Sequence, residues 1–538
     1  MAGLAAAFGS GAMTNSIEEF EFTDLILATG TNTTENHPII GMKIKRAVRQ
    51  HGTKLIVIDP REIDLVKYAD IWLRQKPGTD VAVFNGLMNV IISEGLYAKV
   101  YVAERTENFE ALKNTVEKYT PEYVEKISGV PAEDLQRAAR LYAKAKRANI
   151  AYAMGLTQHI SGTDNVKTMA NLAMLCGNIG IEGGGVNPLR GQNNVQGACD
   201  MGGLPNVFPA YQQVANEEAR KKFETAWKAT LSPKPGLTLM EIMQAAGSGA
   251  IKALYIMGEN PLVSDPDLHH VRAELQKLDL MIVQDIFLTE TAQMADVVLP
   301  SASFAEKDGT FTNTERRVQR IRKAVPAPGQ AKADWEIISE LASRMGYPME
   351  YSSAQQIFEE ITSLTPSYGG ITYRRIEREG LQWPCPTSDH RGTKFLHKDR
   401  FTRGRGLFHA VEYIPPAENT CEEYPFILST GRVLYHYHTG TMTRRAKGPA
   451  QRYPECLVEI NPFDGAKLGI SDGQAVKLKS RRGMVEAKAK LTTKSAAGTG
   501  FMNFHFAEAA VNQLTNPALD PIGKIPEYKV CAVKLEKA

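Results

Sequence analysis

The chain has no C-x-x-C pair. Its six cysteines, Cys176, Cys199, Cys385, Cys421, Cys456 and Cys531, are scattered along 538 residues. That pattern excludes a zinc knuckle or an iron–sulfur motif built from these residues and leaves the reduced thiols of a cytoplasmic protein. No stretch approaches the roughly 18 consecutive apolar residues of a membrane span. The apolar start, residues 1–8, is short for a signal peptide, lacks a basic n-region and soon turns polar, so a soluble protein is expected. Charge of one sign is scarce as well. The net charge is +3, and Arg374-Arg375 and Arg444-Arg445 are short pairs without interleaved aromatics, which argues against a nucleic-acid-binding surface. A G-x-S-x-G nucleophile elbow and a Walker A loop are both missing, so serine-hydrolase and NTP-hydrolysis chemistry have no carrier.

What is present is apolar residue enough, 43% of the chain, for about three domains. Residues 24–29 read as a buried strand, 30–36 as a polar loop, and Pro38 to Gln50 as a helix opened by proline. A second strand, Lys54 to Ile58, runs into Asp59-Pro60-Arg61, and residues 68–73 give a third. The loop of this βαβ unit is not the G-x-G-x-x-G fingerprint. Asp59 nevertheless sits at a strand's carboxyl end, where open α/β sheets bind nucleotides. The pattern recurs: strand Ala253 to Met257, turn Gly258-Glu259-Asn260-Pro261, strand Leu280 to Gln284 ending at Asp285, and a third strand from Ala295-Asp296-Val297. Gly30, Asp59 and Asp70 thus correspond to Gly258, Asp285 and Asp296, at spacings of about 29 then 11 and about 27 then 11 residues. This is the signature of an internal duplication, two nucleotide-type half-sites on either side of the sequence between them.

Between the copies lies Gly183 to Gly203, with seven glycines in twenty-one residues, the single arginine Arg190 and several carboxamides. Glycines let the backbone approach a ligand closely, and Arg190-Gly191-Gln192-Asn193-Asn194 offers planar, multidentate donors rather than the Ser and Glu of a linker. It is preceded by a helix from Pro131 to Lys146, a strand from Asn149, a polar loop Gly155 to His159, and a helix Thr163 to Leu175 with Thr163 as N-cap. Residues 301–330 read as polar and irregular, with Glu306 to Asn313 a loop, and Asp334 to Met345 as a helix. Residues 365–420 look like a wrapping connection. Short strands follow, Phe426–Thr430, Leu457–Ile460, Ala475–Lys479, Met484–Ala489 and Lys529–Val533, with one helix, Pro462–Leu468, stopped by Gly469. This is the pattern of a small β-barrel. His436 and His438 form an H-x-H pair, but no third ligand is near in sequence, and hydrogen bonding to a polar cofactor serves them equally well. His269-His270 reads as a solvated helix surface.

Val186-Asn187-Pro188-Leu189-Arg190-Gly191-Gln192-Asn193-Asn194-Val195-Gln196-Gly197-Ala198-Cys199-Asp200-Met201-Gly202 closely resembles the corresponding loop of formate dehydrogenase catalytic subunits in the molybdopterin oxidoreductase (DMSO reductase) superfamily. The resemblance extends over the chain through Asp59-Pro60-Arg61, residues 173–178, 283–287 and 295–301, Arg344-Met345-Gly346-Tyr347-Pro348, Gln382-Trp383-Pro384-Cys385 and Pro526-Glu527-Tyr528-Lys529. It implies an α/β fold of duplicated nucleotide-binding α/β/α domains with a C-terminal double-psi-type β-barrel. The expected domains are residues 1–195 and 196–400, with intertwined segments, and the barrel 401–538. It implies two molybdopterin guanine dinucleotides on a Mo or W ion, one per copy. Arg190 matches the arginine that orients the formate carboxylate while hydride passes to a metal sulfido ligand, leaving carbon dioxide. A guanidinium suits that task because it holds both oxygens and stays charged when desolvated. Positions matching dinucleotide contacts are Asn32, Glu35, Asn36, Asp59, Arg61, Gln75, Gly78, Asp80, Met154, Gln158, Gly191, Gln192, Asn194, Gly258, Glu259, Asn260, Asp285, Thr289, Arg432, His436, Asn516, Tyr528 and Lys529.

One departure stands out. Family members begin with four cysteines for a 4Fe–4S cluster, followed by a metal-ligating cysteine or selenocysteine beside a histidine. None of these is in the sequence, so no metal ligand is assigned here. Ala2-Gly3-Leu4 resembles the segment just after that pair, and the expectation is a chain truncated past its metal ligand through a selenocysteine codon read as a stop. An iron–sulfur electron-transfer subunit is the expected partner. Two other readings stand beside formate dehydrogenase: a catalytically silent cofactor-binding subunit of an electron-transfer assembly, and a nitrate or other oxyanion reductase.

Overall fold

The computed structural model describes residues 1–538, which divide into two units, one of residues 1–191, 263–269 and 395–538, the other of 192–262 and 270–394.

The first unit is built on a parallel sheet whose strands are largely apolar and buried, as strands covered on both faces are. Its order is Ile71–Leu73, Lys54–Ile58, Leu25–Thr29, Ala148–Tyr152, Gly185–Pro188. Alternation sends Leu25, Leu27, Ile56, Ile58, Ile150 and Tyr152 into one core with the helices Ala2–Phe8, Asp80–Ser93, Ala132–Lys144 and Gly162–Leu175. Ile26, Ala28, Leu55, Val57, Ala151 and Leu189 pack on the other face against the helix Pro38–His51. Thr163 does not cap its helix. Ser161 is the N-cap, and Thr163, one residue into the helix, gives its N–H and Oγ1 to the Asp520 carboxylate at 2.8 and 2.7 Å. The expected loop at 155–159 is largely a short helix, Met154–Thr157.

The same unit carries a closed barrel, in the order Phe426–Gly431, Thr499–Asn503, Leu457–Ile460, Met484–Leu491, Ala475–Lys479, Cys531–Lys537. Two of its pairs are parallel (Ile427 opposite Thr499, Leu457 opposite Lys488) and the other four antiparallel. The last strand begins two residues later than its apolar run suggests, because Lys529 belongs to the site described below. The helix Pro462–Leu468 ends at Gly469, φ +66°.

The second unit repeats the first half of that plan. Strands Val297–Pro300, Leu280–Asp285 and Ala253–Met257 form a parallel sheet over a core of Met243, Ile256, Val271, Leu275, Met281 and Val283. The duplication holds to the level of single hydrogen bonds. Asp70 accepts from Leu55 N–H at 2.9 Å and its own N–H donates to Leu55 carbonyl. Asp296 does the same with Met281, accepting at 2.7 Å. Gly30 (φ +53°) and Gly258 (φ +66°) each donate to the last carbonyl before the strand-end aspartate, Ile58 and Gln284 respectively. Residues 301–330 are more regular than expected: Gly309–Thr312 and Arg317–Ile321 form a hairpin, extended by Leu381–Gln382. Its strands are polar, so no apolar alternation announces them. No helix is long and apolar enough to cross a membrane.

Candidate functional site

The carboxyl end of the first unit's sheet is lined with polar groups that lack partners. A Cβ on Gly30 would stand 2.4 Å from the Leu156 nitrogen, so only glycine lets the chain turn there into the short helix Thr33–Asn36. Around this turn Thr29, Thr31 and Thr33 Oγ1, Asn32 and Asn36 Oδ1, His37 Nδ1 and Gln75 Oε1 are buried without a hydrogen bond. Each such atom costs about 1–3 kcal/mol, and a cluster of them fits a polar ligand that the protein does not itself replace. His37 donates through Nε2 to the Arg190 carbonyl at 2.7 Å, which leaves Nδ1 as an acceptor, and burial keeps the ring below its ordinary pKa.

Asp59 is buried at the adjacent strand end, accepts Arg61 N–H at 2.9 Å, and is pushed up to about 6 by burial. Asp80 accepts the Gln75 amide at 3.1 Å and is pushed up to about 7 by burial, with Asp59 adding to the rise. Gly78 (φ +82°) packs where a Cβ would lie 2.5 Å from Pro416 Cγ. Arg61 turns toward the barrel and forks onto Glu459, while Glu35 acts on it electrostatically. Met154 is 41% exposed and opens the short helix whose carbonyl holds Gln158 N–H.

The barrel contributes one buried cation and one half-buried one. Lys529 donates to the Thr430 carbonyl, and burial followed by repulsion from Arg432 pushes it down to about 7. Burial also lowers Arg432, whose Nη1 donates to the Gly191 carbonyl at 2.8 Å. Two desolvated cations that repel each other are costly alone and suited to an anion such as a diphosphate. His436 is held by the Tyr453 carbonyl at 2.7 Å and by Thr443 Oγ1 at 3.1 Å, so both ring nitrogens have hydrogen-bonding work. His438 and His505 are pushed down to about 4 and about 3, by burial first. Asn516 and Tyr528 brace backbone: the Asn516 amide donates to Val530 carbonyl at 2.9 Å, and Tyr528 hydroxyl to Ser264 carbonyl at 3.1 Å.

Arg190 is half-buried, two residues past the strand Gly185–Pro188, with its carbonyl held by His37 and the next carbonyl by Arg432. These bonds fix the backbone from which its guanidinium projects. In the first unit, therefore, Asp59, Lys529, Arg432 and Gly191 are linked by direct bonds or mutual charge effects, and Asn32, Asn36 and Gln75 share the orphaned polar character.

The second unit gathers the remaining positions. Asp285 accepts from Ile286 and Phe287 N–H, as Asp59 does from Arg61. Asn260 accepts Thr291 N–H and Oγ1 and donates to Glu290, which fixes the turn after Gly258. Thr289 Oγ1 accepts Ala292 N–H, and burial raises Glu259. Gln192 precedes Asn194, which lies in the left-handed region (φ +62°) and accepts Thr312 N–H at 2.9 Å. Gly197 lies beside it, where a Cβ would meet Asn194 Oδ1 at 2.1 Å and push that side chain aside.

The sequence reading passed over Asp200. Its buried carboxylate collects four donors, Gln196 Nε2 and Tyr211 hydroxyl on Oδ1 at 2.7 Å each, Tyr368 hydroxyl and Trp383 Nε1 on Oδ2 at 2.6 and 2.7 Å. Burial raises the carboxyl and these donors pull it back. An aspartate in a glycine-rich run gives no sign that residues 4 to 183 positions away converge on it. His270, expected on a solvated surface, is 57% exposed and pairs with Glu274 at 2.7 Å.

Comparison with known proteins places this arrangement. The molybdopterin oxidoreductase family matches residues 3–344, and the molydopterin dinucleotide binding domain matches residues 426–532. The F420-dependent formate dehydrogenase subunit alpha of Methanocaldococcus jannaschii is 56% identical over 99% of this chain and 80% of its own length. Formate dehydrogenase H of Escherichia coli is 44% identical over 100% of this chain and 76% of its own. The assimilatory nitrate reductase catalytic subunit of Bacillus subtilis is 37% identical over 97% and 76% respectively. Acetylene hydratase from Pelobacter acetylenicus shares the fold, with a TM-score of 0.79 at 21% identity, covering 100% of this chain and 80% of that one. Duplicated strand-end half-sites, a barrel bearing desolvated cations, and these similarities converge: the chain belongs to the molybdopterin oxidoreductase family.

Proposed function

We propose that the chain is the catalytic subunit of a formate dehydrogenase, converting formate to carbon dioxide, a proton and two electrons, or the reverse. The observation that carries this reading is Arg190, held by its own carbonyl on His37 and set in a loop next to a cluster of unpartnered polar groups. The names of relatives 56% and 44% identical over nearly the whole chain support it.

The orphaned oxygens and the desolvated cations fit a bis-molybdopterin guanine dinucleotide. Lys529 and Arg432 would neutralise phosphate, and Asn32, Asn36, Gln75, Asp59 and Asp80 would face the first nucleotide in the 1–195 domain. Asn260, Glu259, Asp285 and Thr289 would face the second in the 196–400 domain. When bound, that cofactor with its Mo or W ion and sulfido ligand supplies the acceptor for the formate hydride. Arg190 binds both carboxylate oxygens and so aims the C–H bond, an orientation effect worth several orders of magnitude in rate. Onward electron transfer would pass to an iron–sulfur subunit. Six free cysteines support a reducing, cytoplasmic setting.

Formate-dependent dye or F420 reduction by the cofactor-loaded protein tests the reading, with Arg190→Ala as control. Turnover that survives in the variant removes the substrate assignment. The 37% identity to a nitrate reductase favours oxyanion reduction as the second reading. Nitrate-dependent oxidation of a reduced dye, with no formate oxidation, would establish it instead. A protein that binds cofactor and turns over neither substrate is a silent scaffold.

A further inference from the structure

Tyr152 ends the strand Ala148–Tyr152, and its phenol is 2% exposed with no hydrogen-bond partner in the protein. Its ring lies on the sheet face that buries Ile150, Leu156 and Val186. Across the parallel ladder it stands opposite Pro188, and Leu189 N–H donates to its carbonyl at 2.8 Å. The Leu189 side chain enters the core on the opposite face, and Arg190 is the next residue along, two positions past the end of that strand. The guanidinium is close enough to act on the phenol: burial raises the hydroxyl far above its usual range, and Arg190 pulls it back.

A buried hydroxyl with neither its donor nor its acceptor capacity used costs about 1–3 kcal/mol, and phenylalanine would fill the same space without that cost. The hydroxyl therefore has work that the protein alone does not show. A guanidinium has only donors and cannot accept a bond from Tyr152. The oxygen of an anion held by Arg190 can.

We propose that Tyr152 is a second substrate-binding residue, its phenol O–H donating to an oxygen of the carboxylate or other planar oxyanion that the Arg190 guanidinium holds. The inference rests on the formate reading and deepens it. A guanidinium fork fixes a carboxylate in its own plane but lets it slide along the fork, and a third donor from the neighbouring strand removes that freedom.

The test compares Tyr152→Phe with Arg190→Ala in the cofactor-loaded protein. Three quantities are read: the unfolding midpoint without ligand, the kcat and KM for formate, and the rise in midpoint on adding nitrate without reductant, nitrate serving as a planar oxyanion probe. For Tyr152→Phe the ligand-free midpoint stays level or rises. The formate KM increases about tenfold or more, the loss of one hydrogen bond to a charged group, with a smaller change in kcat and a reduced nitrate-induced rise. Unchanged KM and an unchanged nitrate response in Tyr152→Phe, while Arg190→Ala loses both, would overturn the role of Tyr152 and leave the formate reading standing. A lowered ligand-free midpoint with KM and nitrate response intact would likewise overturn it, by showing a purely structural hydroxyl. If Arg190→Ala is itself indifferent to formate and nitrate, the formate reading falls and takes this inference with it.

Discussion

Arg61 and Glu459, 398 residues apart, meet fork to fork, Nε to Oε2 at 2.7 Å and Nη2 to Oε1 at 2.6 Å, with side chains only 12% and 16% exposed. The guanidinium also lies 4.1 Å from the Phe501 ring centroid. This pair ties the turn after the second strand of the sheet to the barrel wall. Removing one partner strands the other charge, so Glu459→Ala is expected to destabilise the protein by about 3 kcal/mol. Arg61→Met with Glu459→Leu should recover much of that loss. Denaturant unfolding of the two variants checks both statements, and a double variant no more stable than Glu459→Ala would contradict the pairing.

Lys529 sets a pH dependence whose sign is definite. Its folded pKa is lowered to about 7 from 10.5, by burial first and then by Arg432. Between those values the unfolded chain holds a proton that the folded chain has released, so the cofactor-free protein gains stability as pH rises from about 7 toward 10.5. Lys529→Met should abolish that rise and stabilise the cofactor-free protein at pH 6 by at least about 1 kcal/mol. The same substitution should weaken cofactor retention, read by pterin fluorescence after release. Retention equal to wild type would show that Lys529 does not meet the phosphates.

Asp200 is the acceptor shared by four donors, so Asp200→Ala takes a hydrogen bond from each of Gln196, Tyr211, Tyr368 and Trp383 at once. A loss of about 3 kcal/mol or more follows. Proteolysis should then cut within 192–203 before other sites. Tyr368→Phe, which removes one donor and keeps the carboxylate, should cost about 1 kcal/mol. Equal losses in the two variants would mean that the hub is not cooperative.

Gly30→Ala tests the turn itself. The φ of +53° and the 2.4 Å approach to the Leu156 nitrogen leave no place for a Cβ, so a cost of about 2 kcal/mol or more is expected in a thermal melt. Gly258→Ala, at the duplicated position, meets nothing within 4 Å and should cost only the left-handed backbone strain, about 1 kcal/mol. The difference between the two measures how far the copies have diverged in packing.

The parts of the fold legible in the sequence were those whose signals are local. Asp59 and Asp285 each close a short, mainly apolar run, and the aspartate before each third strand repeats at a fixed interval, so the two copies announce themselves. The strand Thr499–Asn503 went unread because Gly498 and Gly500 interrupt it, and its pairing with Phe426–Gly431 is decided some 70 residues away. The hairpin Gly309–Thr312 and Arg317–Ile321 was hidden by its polar residues, which are satisfied from Leu381–Gln382 and from Glu377. Arg190 could be singled out from its neighbours in the chain. Tyr152 and Asp200 could not, since the one is identified by the partner it lacks and the other by donors from distant segments.

The first unit is discontinuous in sequence, made of residues 1–191, 263–269 and 395–538, with the second unit largely inserted within it. On the ribosome this imposes an order of events. The second unit's residues, ending at Lys394, emerge before the barrel exists, and domains tend to fold as they emerge. Arg432 and Lys529, the cations suited to a diphosphate, come among the last 107 residues, counted from Arg432 to Ala538. A nascent chain therefore has no complete anion site until synthesis is nearly over. Loading of a dinucleotide belongs to the finished polypeptide, and a factor delivering it would meet a protein whose second unit is already folded and whose barrel is the last part to close.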